Sequence, residues 1–235
     1  MRGYTRFILT LSVFSIACQL EASPIFTVPP GLTAGTPYRL VFVTFDTTQA
    51  TSTSIFTYNA FVTTEADENA ALAALGVTWT IIGSTAGTSA LSNIGTPPGA
   101  VYDLGGVEIA SSTSNLFGLS LMARINVDQF GNTVANNTAI WSGTNSGTGL
   151  GEANHQLGST PNSGGPESGQ VATGAGWLTF TQTHVNTTEL QVYAISSELM
   201  VPAPEPGSLA LMGLGLAAVT LGALRRGRSR GSRRA

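Results

Sequence analysis

Two uncharged apolar segments, at residues 7–18 and 208–224, set the ends of this 235-residue chain apart from everything between them. The residues between them, 24–203, hold eleven acidic residues and two arginines, a formal charge of −9, and the whole chain contains no lysine. An acidic body repels phosphate backbones, and a P-loop or kinase site needs a lysine. The sequence therefore argues against a nucleic-acid partner and against these classes of nucleotide-using enzyme.

Residues 1–22 have the features of a secretory signal peptide. Arg2 and Arg6 precede an apolar run of twelve residues, which is too short to span a membrane. Leu20 and Ala22 then occupy the −3 and −1 positions of a small-residue cleavage site. We therefore expect export through the general secretory route, with a buried core helix as the alternative interpretation of this segment.

Cys18 is the only cysteine of the chain. A lipidated lipoprotein cysteine is one interpretation, although residues 15–17 lack the leucine that usually lies three positions upstream. Cleavage after Ala22 would instead leave the body without a thiol. Disulfides, thiolate catalysis and cysteine metal sites would then be excluded from the body together.

Residues 208–224 predict a transmembrane helix. Seventeen uncharged residues span about 25 Å as a helix, close to the thickness of a hydrocarbon core. Residues 201–207 link this helix to a body at 24–200, and residues 225–235 form a basic tail. The positive-inside rule keeps that tail in the cytoplasm, so the body lies outside it, as the signal peptide also requires. The arginines of the tail are Arg225, Arg226, Arg228, Arg230, Arg233 and Arg234.

The motif Pro204-Glu205-Pro206, followed by a glycine-bearing apolar segment and an arginine cluster, resembles the PEP-CTERM sorting signal of exported bacterial proteins. The resemblance implies that Pro204, Glu205 and Pro206 are recognised by an exosortase, a membrane-embedded cysteine transpeptidase that removes the tail near the motif. It also implies a Gram-negative, exopolysaccharide-producing host and a final location in the outer envelope or extracellular matrix. The prolines fit this role because they keep the segment extended and open to a protease. A plain C-terminal anchor is the alternative.

The body has the sequence pattern of an α+β fold, with one main helix on a largely antiparallel sheet. Helical spacing of apolar residues predicts that helix over 54–75, with Gly76 as its stop. Gly105-Gly106 predicts a hairpin between strands at 101–104 and 107–110. A segment rich in Gly, Ser and Thr predicts a long loop between 142 and 176. Further strands are predicted at 38–45, 77–82, 139–142, 177–181 and 190–195.

The stretches 140–144, IWSGT, and 176–177, GW, give the body a resemblance to exported modules with a C-type-lectin-like fold. The acidic-Pro-Asn and Trp-Asn-Asp ligand runs of those modules are missing, so calcium-dependent sugar binding is not implied. A carbohydrate-binding module acting on exopolysaccharide is nevertheless the alternative function. Its candidate stacking surfaces are Trp79, Trp141 and Trp177, for which core packing is the competing interpretation.

The residues that carry chemistry do not form a recognisable catalytic or metal constellation in the sequence. Residues 161–166 echo a serine-protease nucleophile stretch, but neither His155 nor His184 is placed as its base. We expect Glu65, Asp67 and Glu68 to form a solvated helix face. A weak calcium site is the most that Asp103, Glu108 and Asp128 suggest. The sequence thus predicts a non-enzymatic exported protein with no cofactor, no metal and no catalytic residues.

Overall fold

A computed structural model describes residues 24–180 and 185–203. The strands are β1 Pro37–Val43, β2 Trp79–Ile81, β3 Ala100–Asp103, β4 Glu108–Ala110, β5 Ala139–Trp141, β6 Ser168–Gln170, β7 Gln191–Ser196 and β8 Leu199–Met200. The α-helices are α1 Ile55–Asp67, α2 Ala70–Ala73, α3 Ala90–Ile94 and α4 Thr113–Leu116, and 3-10 turns lie at Pro161–Ser163 and Ala175–Trp177. The described part of the chain is therefore a mixed α+β fold.

The eight strands form one curled sheet in which β7 is the central strand. β1 runs antiparallel along one side of β7. On the other side of β7, β5 pairs in parallel with the start of the strand, and β2 pairs antiparallel with its end. Beyond β1 lie the parallel strand β3 and its antiparallel partner β4. Within the described residues the pairings are thus largely antiparallel, as the sequence predicts.

Most of the strands and the hairpin predicted from the sequence are confirmed. β1, β2, β5 and β7 fall within or next to their predicted ranges, and β3 pairs with β4 across the two-glycine turn. Gly106 adopts φ +80°, a backbone conformation that side chains with a Cβ disfavour. The turn therefore requires glycine at this position.

The predicted helix over 54–75 is confirmed in position but is broken into two. α1 ends at Asp67, and Asn69 starts α2 by accepting a hydrogen bond from the Ala71 N–H at 2.9 Å through its side chain. Gly76 ends the pair in the left-handed region, at φ +60°. Asparagine competes for backbone hydrogen bonds in this way, which explains the break.

Two features of the second half differ from the expectation. The predicted strand at 177–181 is wrong where it is described, because Ala175–Trp177 forms a 3-10 turn that buries Trp177. The predicted loop between 142 and 176 contains β6, whose first two residues are buried. The sequence did not predict β6 because Ser168-Gly169-Gln170 is small and polar and lacks the alternating apolar residues that mark a strand.

The sheet is covered on both faces, so two apolar cores lie either side of it. Leu40 and Phe42 of β1 face the core beneath α1, whereas Val41 and Val43 face the opposite core. This alternation is the period of two that a strand imposes. Arg39 lies on the same side of β1 as Val41 and Val43. Its side chain is buried, and its Nε donates to the Ser196 carbonyl at 2.7 Å.

Candidate functional site

β8 and Val201 attach the C-terminal end of the body to the sheet. β8 pairs with the start of β1, and the Val201 N–H donates to the Thr36 carbonyl at 3.0 Å. The Val201 carbonyl accepts the Gly35 N–H at 2.9 Å, and the Val201 side chain is buried. Pro202 and Ala203, the next two residues, are exposed. The chain therefore leaves the fold three residues before Pro204 without any further attachment in the described part.

The predictions for the two ends of the chain concern residues outside those that the structure describes. These are the signal peptide at 1–22, the motif Pro204-Glu205-Pro206, the membrane helix at 208–224 and the six arginines after it. Within residues 24–180 and 185–203, none of the helices combines the length and the apolar character needed to cross a membrane.

The three tryptophans proposed as sugar-stacking surfaces are buried. Trp79 is 1% exposed, and Trp141 and Trp177 are 0% exposed. The Trp79 ring meets the Phe42 ring edge-on, with 5.1 Å between the ring centroids. Trp79 and Trp141 lie in the core beneath α1, whereas Trp177 lies in the opposite core. Stacking needs an open ring face, so the stacking interpretation is wrong for all three and core packing is correct.

The acidic residues at the end of α1, Glu65, Asp67 and the following Glu68, do not form a uniformly solvated face. Asp67 and Glu68 are exposed as expected, but Glu65 is 2% exposed. Its Oε2 accepts the Asp46 N–H at 3.0 Å and the Gln129 Nε2–H at 2.8 Å. Burial raises the pKa of the Glu65 carboxyl above its ordinary value, against the opposing effect of these hydrogen bonds. Glu65 is thus a structural joint between α1 and two loops.

Glu65 also lies in an acidic cluster with Asp46 and Glu68. One carboxylate oxygen from each residue lies within 4.8 Å of the others, the one three-residue grouping in the described part that is close enough to hold a cation. Asp46 and Glu68 are exposed. Hard cations favour such oxygen donors, but the buried member already uses an oxygen for two hydrogen bonds within the fold.

Two of the three acidic residues considered for calcium, Asp103 and Asp128, hold loops in place. Asp103 accepts the Val107 N–H at 2.8 Å and tightens the hairpin turn, and burial raises the pKa of its carboxyl. Asp128 accepts the N–H groups of Phe130 and Asn132 at 2.9 and 2.8 Å. Glu108 lies on β4 and is half-buried. Two of these carboxylates are thus used for loop geometry, and the three do not form a group close enough to share a cation within the described residues, which corrects that interpretation.

His155 has a structural contact of the same kind. Its Nδ1 lies 3.0 Å from the Gly165 carbonyl oxygen, and its own carbonyl accepts the Glu167 N–H at 2.7 Å. Its ring packs over Gly164, where a Cβ would lie 2.5 Å from the ring. His184 lies outside the described residues. His155 therefore holds the 155–167 loop closed.

Sequence reasoning missed two neighbouring cavities that carry no charged side chain. The first, here called the serine groove, has a volume of about 440 Å³ and lies against α4. The second, here called the threonine pocket, has a volume of about 300 Å³ and lies between the 85–89 and 150–156 loops. Their linings come from segments far apart in the chain, so no local motif could have marked them.

Comparison with known proteins identifies the C-terminal segment. The family model of the PEP-CTERM protein-sorting motif matches residues 202–226. No curated protein matches the chain, and the resemblance to C-type-lectin-like modules is not confirmed. The matched motif indicates an exported protein that passes through the membrane and is sorted by an exosortase. The match begins directly after Val201, the last of the described residues with a hydrogen bond to the fold.

Proposed function

We propose that the chain is a non-enzymatic protein of the outer envelope or extracellular matrix of an exopolysaccharide-producing bacterium. Residues 1–22 direct export and are removed. Residues 208–224 then hold the protein in the inner membrane, with its arginines in the cytoplasm, until an exosortase cuts near Pro204-Glu205-Pro206. The released body is the finished protein. The signal peptide and the arginine tail both place the body outside the cytoplasm, and this agreement supports the proposed order of export and processing.

The junction between the fold and the matched motif carries this proposal. Within residues 24–180 and 185–203, the last hydrogen bonds of the fold are made at Val201, and the match starts at 202. A protease needs an extended, accessible segment of backbone, and Pro202 and Ala203 are exposed. Cutting anywhere after 203 would leave β8 and Val201 in place, so processing need not disturb the sheet.

A non-catalytic role fits the way the described polar side chains are used. Glu65, Asp103, Asp128 and His155 each make hydrogen bonds to backbone or amide groups that hold loops in place. A catalytic group needs a partner aimed at a reacting atom rather than at its own backbone. The stability of the body likewise rests on packing and hydrogen bonding, since 24–203 contains no cysteine.

The test is intact-mass analysis of the protein recovered from cells with and without a functional exosortase. We expect a product that begins near Ser23 and ends between 201 and 207 when the exosortase is present. Without it, the mass should extend through the terminal arginines. Glu205→Gln should slow processing, whereas Glu198→Gln, an exposed glutamate seven residues upstream within the fold, should not. A full-length protein in the cytosol with Met1 intact would refute the proposal.

A further inference from the structure

The serine groove and the threonine pocket share one glycine-rich segment, residues 145–151, here called the ridge. Gly147 lines the groove, and Leu150 and Gly151 line the pocket. Three residues cover at most about 10 Å of chain, so the two cavities are neighbours. The ridge is fixed, because the Asn145 N–H donates to the Leu150 carbonyl at 2.8 Å and the Gly149 carbonyl accepts the Leu91 N–H at 3.0 Å.

Both cavities offer small, uncharged polar groups. Serines, threonines, one asparagine and one glutamine supply the polar side chains of the two linings. In the groove, Asn115 Nδ2 donates to Ser111 Oγ at 2.8 Å. That bond uses the Ser111 oxygen as acceptor, so the Ser111 hydroxyl proton and the Asn115 side-chain oxygen Oδ1 can still bond to a ligand. Short side chains also lose little rotamer freedom when a ligand binds.

Apolar side chains border the same surface. Leu119 is 67% exposed, Met122 is 66% exposed and Leu150 is 50% exposed. Met122 lines the groove, Leu119 lies against Gly147 of the ridge, and Leu150 lines the pocket. Hydrogen-bonding groups and exposed apolar side chains therefore occur together at both cavities.

The absence of charge from these linings is informative because the body around them carries a formal charge of −9. An anionic ligand would meet no cationic partner here and would be repelled by the body as a whole. A cationic ligand would find better donors at the acidic cluster of Asp46, Glu65 and Glu68. An uncharged ligand with both hydroxyl groups and apolar C–H faces matches what the surface provides.

We propose that the serine groove and the threonine pocket together bind a segment of an uncharged glycan chain laid across the 145–151 ridge. The binding itself depends only on the body. This inference rests on the proposed function only in that export places the surface outside the cell, where glycan chains occur. A failure of glycan binding would leave the export proposal intact, and a failure of export would leave the binding measurement intact.

The test is calorimetric titration of the full chain, purified from a host without exosortase in a zwitterionic detergent that contains no sugar. The probes are hexasaccharides of neutral glucans and mannans, with an oligouronate of equal length as the anionic counterpart. We expect at least one neutral hexasaccharide to bind with a micromolar to millimolar dissociation constant and the oligouronate not to bind. Failure of every neutral probe, or preference for the oligouronate, would overturn the proposal.

Variants test the location. Ser114→Trp fills the groove and Ala86→Trp fills the pocket, and both positions are exposed. Each should weaken hexasaccharide binding at least tenfold, whereas Thr64→Trp, on the exposed face of α1, should leave it unchanged. Asn115→Ala removes one hydrogen-bonding group and should weaken binding about fivefold to tenfold.

Two further outcomes would contradict the assignment. Affinity left intact by both tryptophan variants would mean that the glycan binds elsewhere. Concentration-dependent dimerisation in sedimentation, abolished by Ser114→Trp and insensitive to glycan, would assign the surface to a second copy of this chain instead.

Discussion

Replacing Trp141 and Trp177 by phenylalanine separates hydrogen bonding from packing in this core, because both side chains are 0% exposed and lose the same atoms. Trp141 Nε1 donates to the carbonyl oxygens of Thr48 and Thr188 at 3.1 and 3.2 Å. Trp177 Nε1 is buried and finds no hydrogen-bond partner among the described residues. A net hydrogen bond contributes about 1 kcal/mol, and a buried donor without a partner costs about 1–3 kcal/mol.

The cavity that each substitution leaves costs free energy in both cases and largely cancels in the difference. Trp141→Phe should therefore lower the free energy of unfolding by about 2–4 kcal/mol more than Trp177→Phe does. Urea unfolding of the processed protein, followed by far-ultraviolet circular dichroism, measures this difference without relying on tryptophan emission. The denaturant slope serves as the control, since it should stay unchanged in both variants. Equal losses, or a larger loss for Trp177→Phe, would refute the reasoning.

Three other substitutions test the polar framework. Glu65→Gln should stabilise the protein at neutral pH. Burial raises the pKa of the Glu65 carboxyl in the folded protein. The wild-type carboxyl therefore contributes its full stability below its unfolded pKa and loses that contribution as the pH rises through the folded pKa, whereas glutamine does not titrate. The advantage of the variant in urea unfolding should grow between about pH 4 and pH 7, and a constant difference would contradict this. Asn59→Ala removes the acceptor of the Ile81 N–H at 3.0 Å; it should cost about 1–3 kcal/mol and speed hydrogen exchange of that amide. Gly143→Ala, at φ +57° with backbone in overlap with the added Cβ, should cost more than about 3 kcal/mol. Its control is Gly31→Ala, at φ +83° with nothing within 4 Å, which should cost about 1 kcal/mol by thermal melting.

The elements that the sequence predicts well are those whose signal is local. Strand β1 and strand β7 are runs of β-branched and aromatic residues, and the hairpin between β3 and β4 has a glycine pair at its turn. Each can be found from neighbouring residues alone. The short helices α3 and α4 were not predicted, because four or five residues are too few to show a helical period.

The features that escaped prediction depend on contacts between distant segments. Glu65 looks like part of an exposed acidic face until Gln129, sixty-four positions away, is brought beside it. The three tryptophans are equally ambiguous in the sequence, since a large aromatic ring suits both a core and a binding surface. The serine groove shows no motif at all, because its lining joins residues 109–122 with Gly147.

Side-chain amides and hydroxyls form many of the hydrogen bonds to backbone groups that hold this fold together. Asn59 and Asn93 bond to the Ile81 backbone, on the side of β2 that faces away from β7, and to each other, at distances of 2.9–3.0 Å. Edge strands invite pairing with other chains, and these amides occupy the groups that would pair. The same device fixes loops in a body that has no thiol for a disulfide.

Loop fixation of this kind also bears on binding. A ligand that meets mobile loops must order them, and the free energy of that ordering is subtracted from its affinity. Here Ser84, which precedes the 85–89 loop, bonds through its hydroxyl to Thr144, the residue before the ridge, at 2.9 Å. The same hydroxyl accepts the Ala90 N–H of α3 at 2.8 Å, so the starts of these three segments are linked. Ser84→Ala should therefore weaken glycan binding without touching either cavity, since Ser84 lines neither. A variant that unfolds at a lower urea concentration yet binds the hexasaccharide as tightly as the wild type would show that the ridge need not be rigid.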